Sequence, residues 1–112
     1  MTIKVEKEVG GSFAESKEQA KQVRMQKILP ALNRGEEVIL DFAGITFATQ
    51  SFIHALIAEA VRVEEPQPGL DLLVFRNCAA EVKSIIEVVV SYAQDDWSDI
   101  VPDGEASAQP TT

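Results

Sequence analysis

Residues that build disulfides and metal sites are scarce in this sequence of 112 residues, which has one cysteine, Cys78, and one histidine, His54. A single cysteine excludes an internal disulfide, which fits a reducing compartment. One Cys and one His cannot build a zinc site. The glycine-rich patterns G-x-x-x-x-G-K-[ST] and G-x-G-x-x-G of nucleotide-binding loops are also missing. The sequence therefore predicts neither a metal nor another cofactor.

Long apolar runs and an excess of basic residues are missing as well. No apolar run approaches the roughly 20 residues that span a bilayer. The N-terminal stretch MTIKVEKEVGG does not read as a signal or transit peptide, so we expect a cytoplasmic chain. Ten Lys and Arg against 18 Asp and Glu give a net charge of −8. Because phosphate binding needs a basic face, this charge argues against nucleic acid and anionic membranes as partners.

The apolar content is sufficient for one domain, since 46% of the residues are hydrophobic. We place that domain at residues 1–94. Residues 95–112 contain acidic but no basic side chains, and they are predicted to form an acidic, largely disordered tail. Trp97 and the Ile100-Val101 pair are candidates for anchoring the first part of this tail.

The first third of the chain combines strand and helix patterns. Residues 2–9 alternate β-branched and charged side chains, which predicts a half-exposed strand at a sheet edge. Ser12 and Glu15 have the S-x-x-E spacing of a capping box, so a helix is expected to follow. Pro30 must kink or restart that helix because proline lacks a backbone donor. Gly35 is a suitable end for it.

The remaining elements follow the same alternation. The apolar run Val38–Phe42 predicts a central parallel strand covered on both faces. After a connector at 43–50, an apolar stripe with helical spacing begins near Ser51. Leu70–Phe75 predicts another buried strand, and Asn77 is a candidate cap for a third helix. The order β-α-β-α-β-α predicts an α/β domain with a small, mostly parallel sheet and flanking helices. Three strands are few, so a further strand or pairing between protomers is left open.

One segment carries a family resemblance. Residues 38–56, VILDFAGITFATQSFIHAL, resemble the bacterial STAS-like domains of unknown function, in which an apolar strand leads to Asp-Phe, a Gly-Val-like pair and a Ser-Phe pair that opens a helix. The corresponding pairs here are Asp41-Phe42, Gly44-Ile45 and Ser51-Phe52. Residues 11–14 are similar to the small-residue entry into the first helix of that family. The resemblance covers roughly residues 3–93 and implies a STAS-like fold.

The resemblance also implies a function. STAS-like domains are distant relatives of the STAS domains of anti-sigma-factor antagonists, which are non-enzymatic switches. Those domains dock on an ATPase-like kinase and are phosphorylated on a serine within an Asp-Ser-Ser-Gly stretch. That stretch falls here on residues 49–52, TQSF, where Ser51 keeps a hydroxyl in place. The implied function is a regulatory signalling module that binds a protein partner and is switched by phosphorylation of Ser51.

The residues themselves support two interpretations of this segment. As a helix N-cap, Ser51 would bind a free N–H of the first turn, which stabilises a helix by about 1 kcal/mol. As a phosphorylation site, it would add negative charge to a docking face at the positive end of the helix. Thr49 is the second candidate hydroxyl. The predicted partner-binding or switch residues are Thr49, Gln50, Ser51 and His54, with the connector 43–50 contributing to the contact.

An enzyme is the less favoured alternative. Asp41 ends the central strand, but the acidic neighbours and lysine of a phosphate-receiving site are missing, so we expect a buried structural Asp that accepts hydrogen bonds from the Gly44–Gln50 connector. Gly44 is likewise assigned a structural role. Cys78 is expected to open the third helix, a position where the helix dipole can lower a thiol pKa. Because the sequence offers it no second Cys and no nearby His, we expect Cys78 to be a small packing residue. A single pocket that held Asp41, His54 and Cys78 together would favour catalysis.

A structural or accessory homodimer is the second alternative. The helix that begins near Ser51 has apolar positions nearly all round, which suggests surface that a second copy would cover.

Overall fold

The computed structural model describes residues 1–94, so the predicted tail at 95–112 lies outside the described residues. Strands and helices alternate along this range. The strands are β1 (Thr2–Lys4), β2 (Phe13–Ala14), β3 (Val38–Asp41), β4 (Phe47–Ala48) and β5 (Leu73–Arg76). The helices are α1 (Val5–Val9), α2 (Lys17–Val23), α3 (Leu29–Asn33), α4 (Gln50–Val61), α5 (Gly69–Leu72) and α6 (Ala80–Gln94), with a π-helical segment, Arg24–Ile28, between α2 and α3. The predicted α/β class is confirmed.

The main sheet is parallel and has the order β1-β3-β5. This order advances in one direction, so right-handed crossovers place the connecting helices on the same face of the sheet. The burial of β3 alternates accordingly, with Val38 and Leu40 fully buried and Ile39 and Asp41 half-buried. The central position of this strand is confirmed, whereas the expectation that both of its faces are covered is wrong.

A second, two-stranded parallel sheet supplies the further strands that the sequence left open. It pairs Phe13 with Phe47 and Ala14 with Ala48. Both alanines are buried and both phenylalanines are exposed. Because β2 leads to α2 and β4 leads to α4, this small sheet sets two strand-to-helix junctions side by side.

Two predictions near the N-terminus are wrong. The strand predicted at 2–9 ends at Lys4, and α1 follows it to a C-cap at Gly10 with φ +76°. Glycine adopts this left-handed conformation without steric cost, which favours a helix end at that position. The cap of α2 is Ser16, whose Oγ accepts a hydrogen bond from the Gln19 N–H at 3.2 Å, and not Ser12. Ser16 and Gln19 have the same capping-box spacing four residues further along.

Pro30 restarts the helix, as expected from its missing N–H. The π-helical segment ends at Ile28, and α3 begins at Leu29 with Pro30 in its first turn. At the other end, Gly35 has φ +74° and donates its N–H to the Leu32 carbonyl at 2.9 Å. The predicted helix end at this glycine is confirmed.

The last strand and helix begin later than the sequence pattern indicates. Residues Gly69–Leu72 form the short helix α5, so β5 begins at Leu73. Asn77 does not cap α6, because the helix begins at Ala80 and the carbonyl of Ala79 accepts from the Lys83 N–H. Asn77 instead takes a left-handed conformation with φ +57°, which Asn tolerates better than most residues.

The core lies between the sheet and the helices. Helix α4 contacts both α2 and α6 and is buried along most of its length. None of the helices formed by residues 1–94 combines the length and apolar character needed to cross a membrane.

Candidate functional site

The start of α4 is capped by Thr49. Its backbone is extended, and its Oγ1 accepts a hydrogen bond from the Phe52 N–H at 3.1 Å. Ser51 therefore lies within the first turn of the helix, and the expectation that Ser51 is the N-cap is wrong. Threonine is itself a good N-cap, so the local preference is satisfied two residues earlier than expected. Capping does not occupy the Ser51 hydroxyl.

The four predicted switch residues lie at one end of α4. Thr49, Gln50 and Ser51 are consecutive, and His54 follows Ser51 by about one turn. All four are half-buried. These partly exposed residues adjoin a helix whose other positions are mostly core.

Two phenylalanines beside this helix start were not predicted as site residues. Phe13 and Phe47 are 58% and 46% exposed. Their ring centroids lie 5.8 Å apart with an interplanar angle of 63°, an edge-to-face pair. Strand alternation causes the exposure, because turning Ala14 and Ala48 into the core turns the rings outward. The repeated Phe-Ala pair, each time shortly before a helix, is the sequence signal that could have found them.

Backbone hydrogen bonds hold the rings next to the helix cap. Thr46 N–H donates to the Ser12 carbonyl at 2.9 Å, and Thr49 N–H donates to the Ala14 carbonyl at 3.0 Å. We call the surface formed by Phe13, Phe47, Thr49, Gln50 and Ser51 the aromatic-cap face. It joins an exposed apolar pair to hydroxyl and amide groups at the positive end of α4.

The connector that leads to this face is shaped by Gly44. The Ile45 N–H donates to the Phe42 carbonyl at 3.0 Å, and Gly44 has φ +86°, as a type II turn requires. A Cβ on Gly44 would lie 2.6 Å from the carboxyl group of Glu6. The close approach of Glu6 and the positive φ both favour glycine here.

Asp41 organises the start of the same turn. Its Oδ1 accepts hydrogen bonds from the side-chain amide of Asn77 and from the Ala43 N–H, each at 2.9 Å. The hydrogen bond from Asn77 and, to a lesser extent, that from Ala43 hold the pKa of Asp41 below its ordinary value. Asp41 as a residue is only half-buried, its carboxylate is exposed, and its backbone donor is Ala43. The expectations of full burial and of donors from the Gly44–Gln50 connector are therefore wrong.

The model of a family described as STAS-like domain of unknown function (DUF4325) matches residues 19–83, which is more than half of the chain. The chain belongs to this family. No curated protein and no solved structure matches the chain.

The matched part of the STAS-like domain contains most of the aromatic-cap face. Phe47 and the 49–51 cap lie within residues 19–83, whereas Phe13 precedes them. The match therefore includes the polar half of the face and one of its two rings. The family description assigns no function, so the role of these residues rests on their geometry.

Cys78 occupies a different part of the STAS-like domain. It lies in the loop before α6 and in a groove between β5 and α6, which we call the β5–α6 groove; Leu70, Phe75, Val90 and Gln94 are among its other lining residues. Burial raises the pKa of the Cys78 thiol. The expectation that this cysteine opens the helix is wrong, because the helix begins two residues later. The reactive thiol of the less favoured interpretation is not supported, since desolvation disfavours the thiolate.

The three residues of the enzyme alternative are not assembled in the β5–α6 groove. Cys78 lines it, but Asp41 and His54 do not. Within residues 1–94, no group of three or more His, Cys, Asp or Glu side chains is placed to hold a metal ion.

The apolar positions of α4 do not provide the surface expected for a homodimer. Seven of its residues are buried within the domain, and α2 and α6 pack against it. The nearly all-round apolar pattern is explained by this central position, since a helix enclosed by neighbours has little solvent-facing surface.

Proposed function

We propose that this STAS-like domain is a regulatory, non-enzymatic module that binds a protein partner through the aromatic-cap face. The observation that carries the proposal is the exposed Phe13–Phe47 pair beside the capped start of α4. Exposed aromatic rings are enriched in protein interfaces, where they supply large apolar contacts at low entropic cost. The adjoining Thr49, Gln50 and Ser51 provide polar groups for the rim of such a contact.

Phosphorylation of Ser51 is the proposed switch. A phosphoryl group in the first turn of α4 is favoured by the positive helix end. It adds roughly −1.5 to −2 charges beside two apolar rings. An apolar contact formed by Phe13 and Phe47 is weakened by this charge because the phosphate must be desolvated or displaced. His54 follows Ser51 by about one turn of α4 and is half-buried.

The proposed partner is an ATPase-like kinase, as the resemblance to anti-sigma-factor antagonists implies. Such a partner combines the two requirements of the face. It binds the apolar pair, and it supplies the phosphoryl group that ends the contact. The net charge of −8 is compatible with a partner whose binding surface is basic.

Binding measurements on single-residue variants test whether the partner contacts the aromatic-cap face or another part of the surface. Immobilised protein is incubated with an extract of the source cells, the retained partner is purified, and its Kd is measured by calorimetry for each variant. Phe47→Ser and Ser51→Asp are expected to weaken binding by about tenfold or more, whereas Ser51→Ala leaves it nearly unchanged. Met25→Ser is the matched control, because Met25 is 54% exposed and lies in the π-helical segment.

The Kd values of these variants also test the phosphorylation switch separately from the partner contact. Equal Kd values for Phe47→Ser, Met25→Ser and the wild type would contradict the proposed face. Loss of binding in Phe47→Ser alone, with Ser51→Asp unchanged, would retain the face and remove the phosphorylation switch. Circular dichroism of each variant confirms that the fold is intact.

A further inference from the structure

The β5–α6 groove is an apolar cleft at one edge of the main sheet. It has a volume of about 610 Å³. Leu70, Phe75, Cys78 and Val90 line it, and each is only partly buried against the core. These side chains therefore contact the domain on one side and are left uncovered by residues 1–94 on the other.

The outer edge of β5 presents backbone hydrogen-bonding groups beside this groove. Phe42 N–H donates to the Arg76 carbonyl at 2.9 Å. Alternate residues of a parallel strand bond to the same neighbour, so Val74 and Arg76 turn their backbone groups toward β3. Leu73 and Phe75 turn theirs outward, where no strand from residues 1–94 pairs with them. Such an edge is a template for pairing with a strand of another molecule.

Two charged side chains of α6 border the groove. Lys83 and Glu87 both line it, are exposed, and lie one helical turn apart. A twofold contact between identical surfaces requires charges of both signs, because a surface of one sign repels its own copy. Charge complementarity therefore favours a second copy of this chain as the occupant over a strongly acidic or strongly basic partner.

We propose that the β5–α6 groove is the interface of a homodimer, in which β5 pairs in antiparallel orientation with β5 of a second copy. A twofold axis perpendicular to the sheet relates the two copies and keeps both sets of helices on the same face. A register with Leu73 opposite Phe75 of the second copy uses every outward N–H and C=O group of these residues. Val74 then lies on the axis, opposite its own copy.

The same axis places α6 antiparallel to α6 of the second copy. Helix α6 runs back along β5, since residues near both of its ends line the groove. Val74 lies about 7 Å from the end of β5, a distance that α6 covers in about five residues from Ala80. The axis is therefore level with the point midway between Lys83 and Glu87. Lys83 of each copy faces Glu87 of the other.

This arrangement places the homodimer contact, which α4 does not provide, at the free edge of the main sheet. Pairing of the two β5 strands removes an edge that otherwise favours aggregation. The second copy also covers the half-buried side chains of Phe75 and Val90. No residue of the aromatic-cap face takes part, so failure of the dimer leaves the proposed partner contact unaffected.

Reversal of the two charges tests the helix contact in the full-length protein. Sedimentation equilibrium measures the dimer Kd of Lys83→Glu, Glu87→Lys and the double variant. Each single reversal is expected to raise the Kd by about tenfold, because two like-charged pairs replace two attractive ones. The double variant is expected to restore it. Lys21→Glu makes the same charge change at an exposed position of α2 and is expected to leave the Kd unchanged.

A disulfide at the proposed axis tests the strand register. In a Cys78→Ser background, Val74→Cys is expected to give a covalent dimer on mild oxidation. Directly opposite residues of an antiparallel pair are close enough for a disulfide. Ile39→Cys in the same background is the matched control, because Ile39 lies opposite Val74 on the central strand β3. Circular dichroism confirms that each variant is folded.

Two sets of results would overturn the proposal. One is a monomer at every concentration from micromolar to millimolar with no cross-link through Val74→Cys, which would assign the groove to another part of the chain or to another protein. The other is a dimer whose Kd changes in neither charge reversal, or that cross-links equally through Ile39→Cys, since its interface would then lie elsewhere.

Discussion

The side-chain amide of Asn77 donates a hydrogen bond of 2.9 Å to the carboxylate of Asp41, joining the loop after β5 to the end of β3. The same carboxylate oxygen accepts from the Ala43 N–H, at the start of the turn that leads to β4. Asp41 thus couples the edge of the main sheet to the connector that carries the aromatic-cap face.

Asp41→Asn is expected to destabilise the protein at neutral pH but not in acid. The folded-state pKa of Asp41 is lowered from the ordinary 3.8, chiefly by the Asn77 amide and then by the Ala43 N–H. The resulting stability is full above the ordinary value and is lost as the pH falls through the lowered folded value. Urea unfolding at a series of pH values measures the difference from the wild type, which should shrink below about pH 4.

Glu64→Gln is the control for this experiment, because it removes one exposed negative charge from a loop. A constant difference between wild type and Asp41→Asn from neutral to acid pH would show that the charge of Asp41 contributes nothing beyond its hydrogen-bond geometry.

Thr49→Ala is expected to cost about 1 kcal/mol of unfolding free energy, because the Phe52 N–H loses its side-chain acceptor. Ser51→Ala is expected to stay within about 0.5 kcal/mol of the wild type, since Ser51 is inside the helix and alanine has the higher helix propensity. Chemical denaturation of the two variants measures both values. A larger loss of unfolding free energy in Ser51→Ala than in Thr49→Ala would show that Ser51 caps the helix.

Gly69→Ala is expected to destabilise the fold by about 1–3 kcal/mol through overpacking. A Cβ at Gly69 would lie 1.8 Å from the backbone carbonyl oxygen of Ala60, near the end of α4, so the backbone would have to move. Gly11→Ala is the matched control, because nothing lies within 4 Å of its Cβ position. Thermal unfolding of the pair measures the cost, and similar melting temperatures would contradict the predicted clash.

The local sequence pattern predicts several features of the site. The apolar run at 38–42 and the helical stripe that follows predict a strand, a connector and a helix, and the resemblance at 38–56 predicts the family. The exposed Phe13–Phe47 pair was not predicted, because Phe47 reads as one more apolar residue until it is known that Ala48 faces the core. Cap positions were misplaced at both α2 and α4, where several hydroxyl residues compete within a few positions and only the observed hydrogen bonds decide.

The amino-acid sequence alone determined the α/β class, the parallel central strand and the STAS-like family, because hydrophobic periodicity and short motifs depend on neighbouring residues. Tertiary structure decided which face of the sheet is covered, where Phe13 meets Phe47, and which donors reach Asp41. The Phe13–Phe47 and Asp41–Asn77 contacts join residues 34 and 36 positions apart in the chain, and the direction of the crossovers and the strand register bring them together.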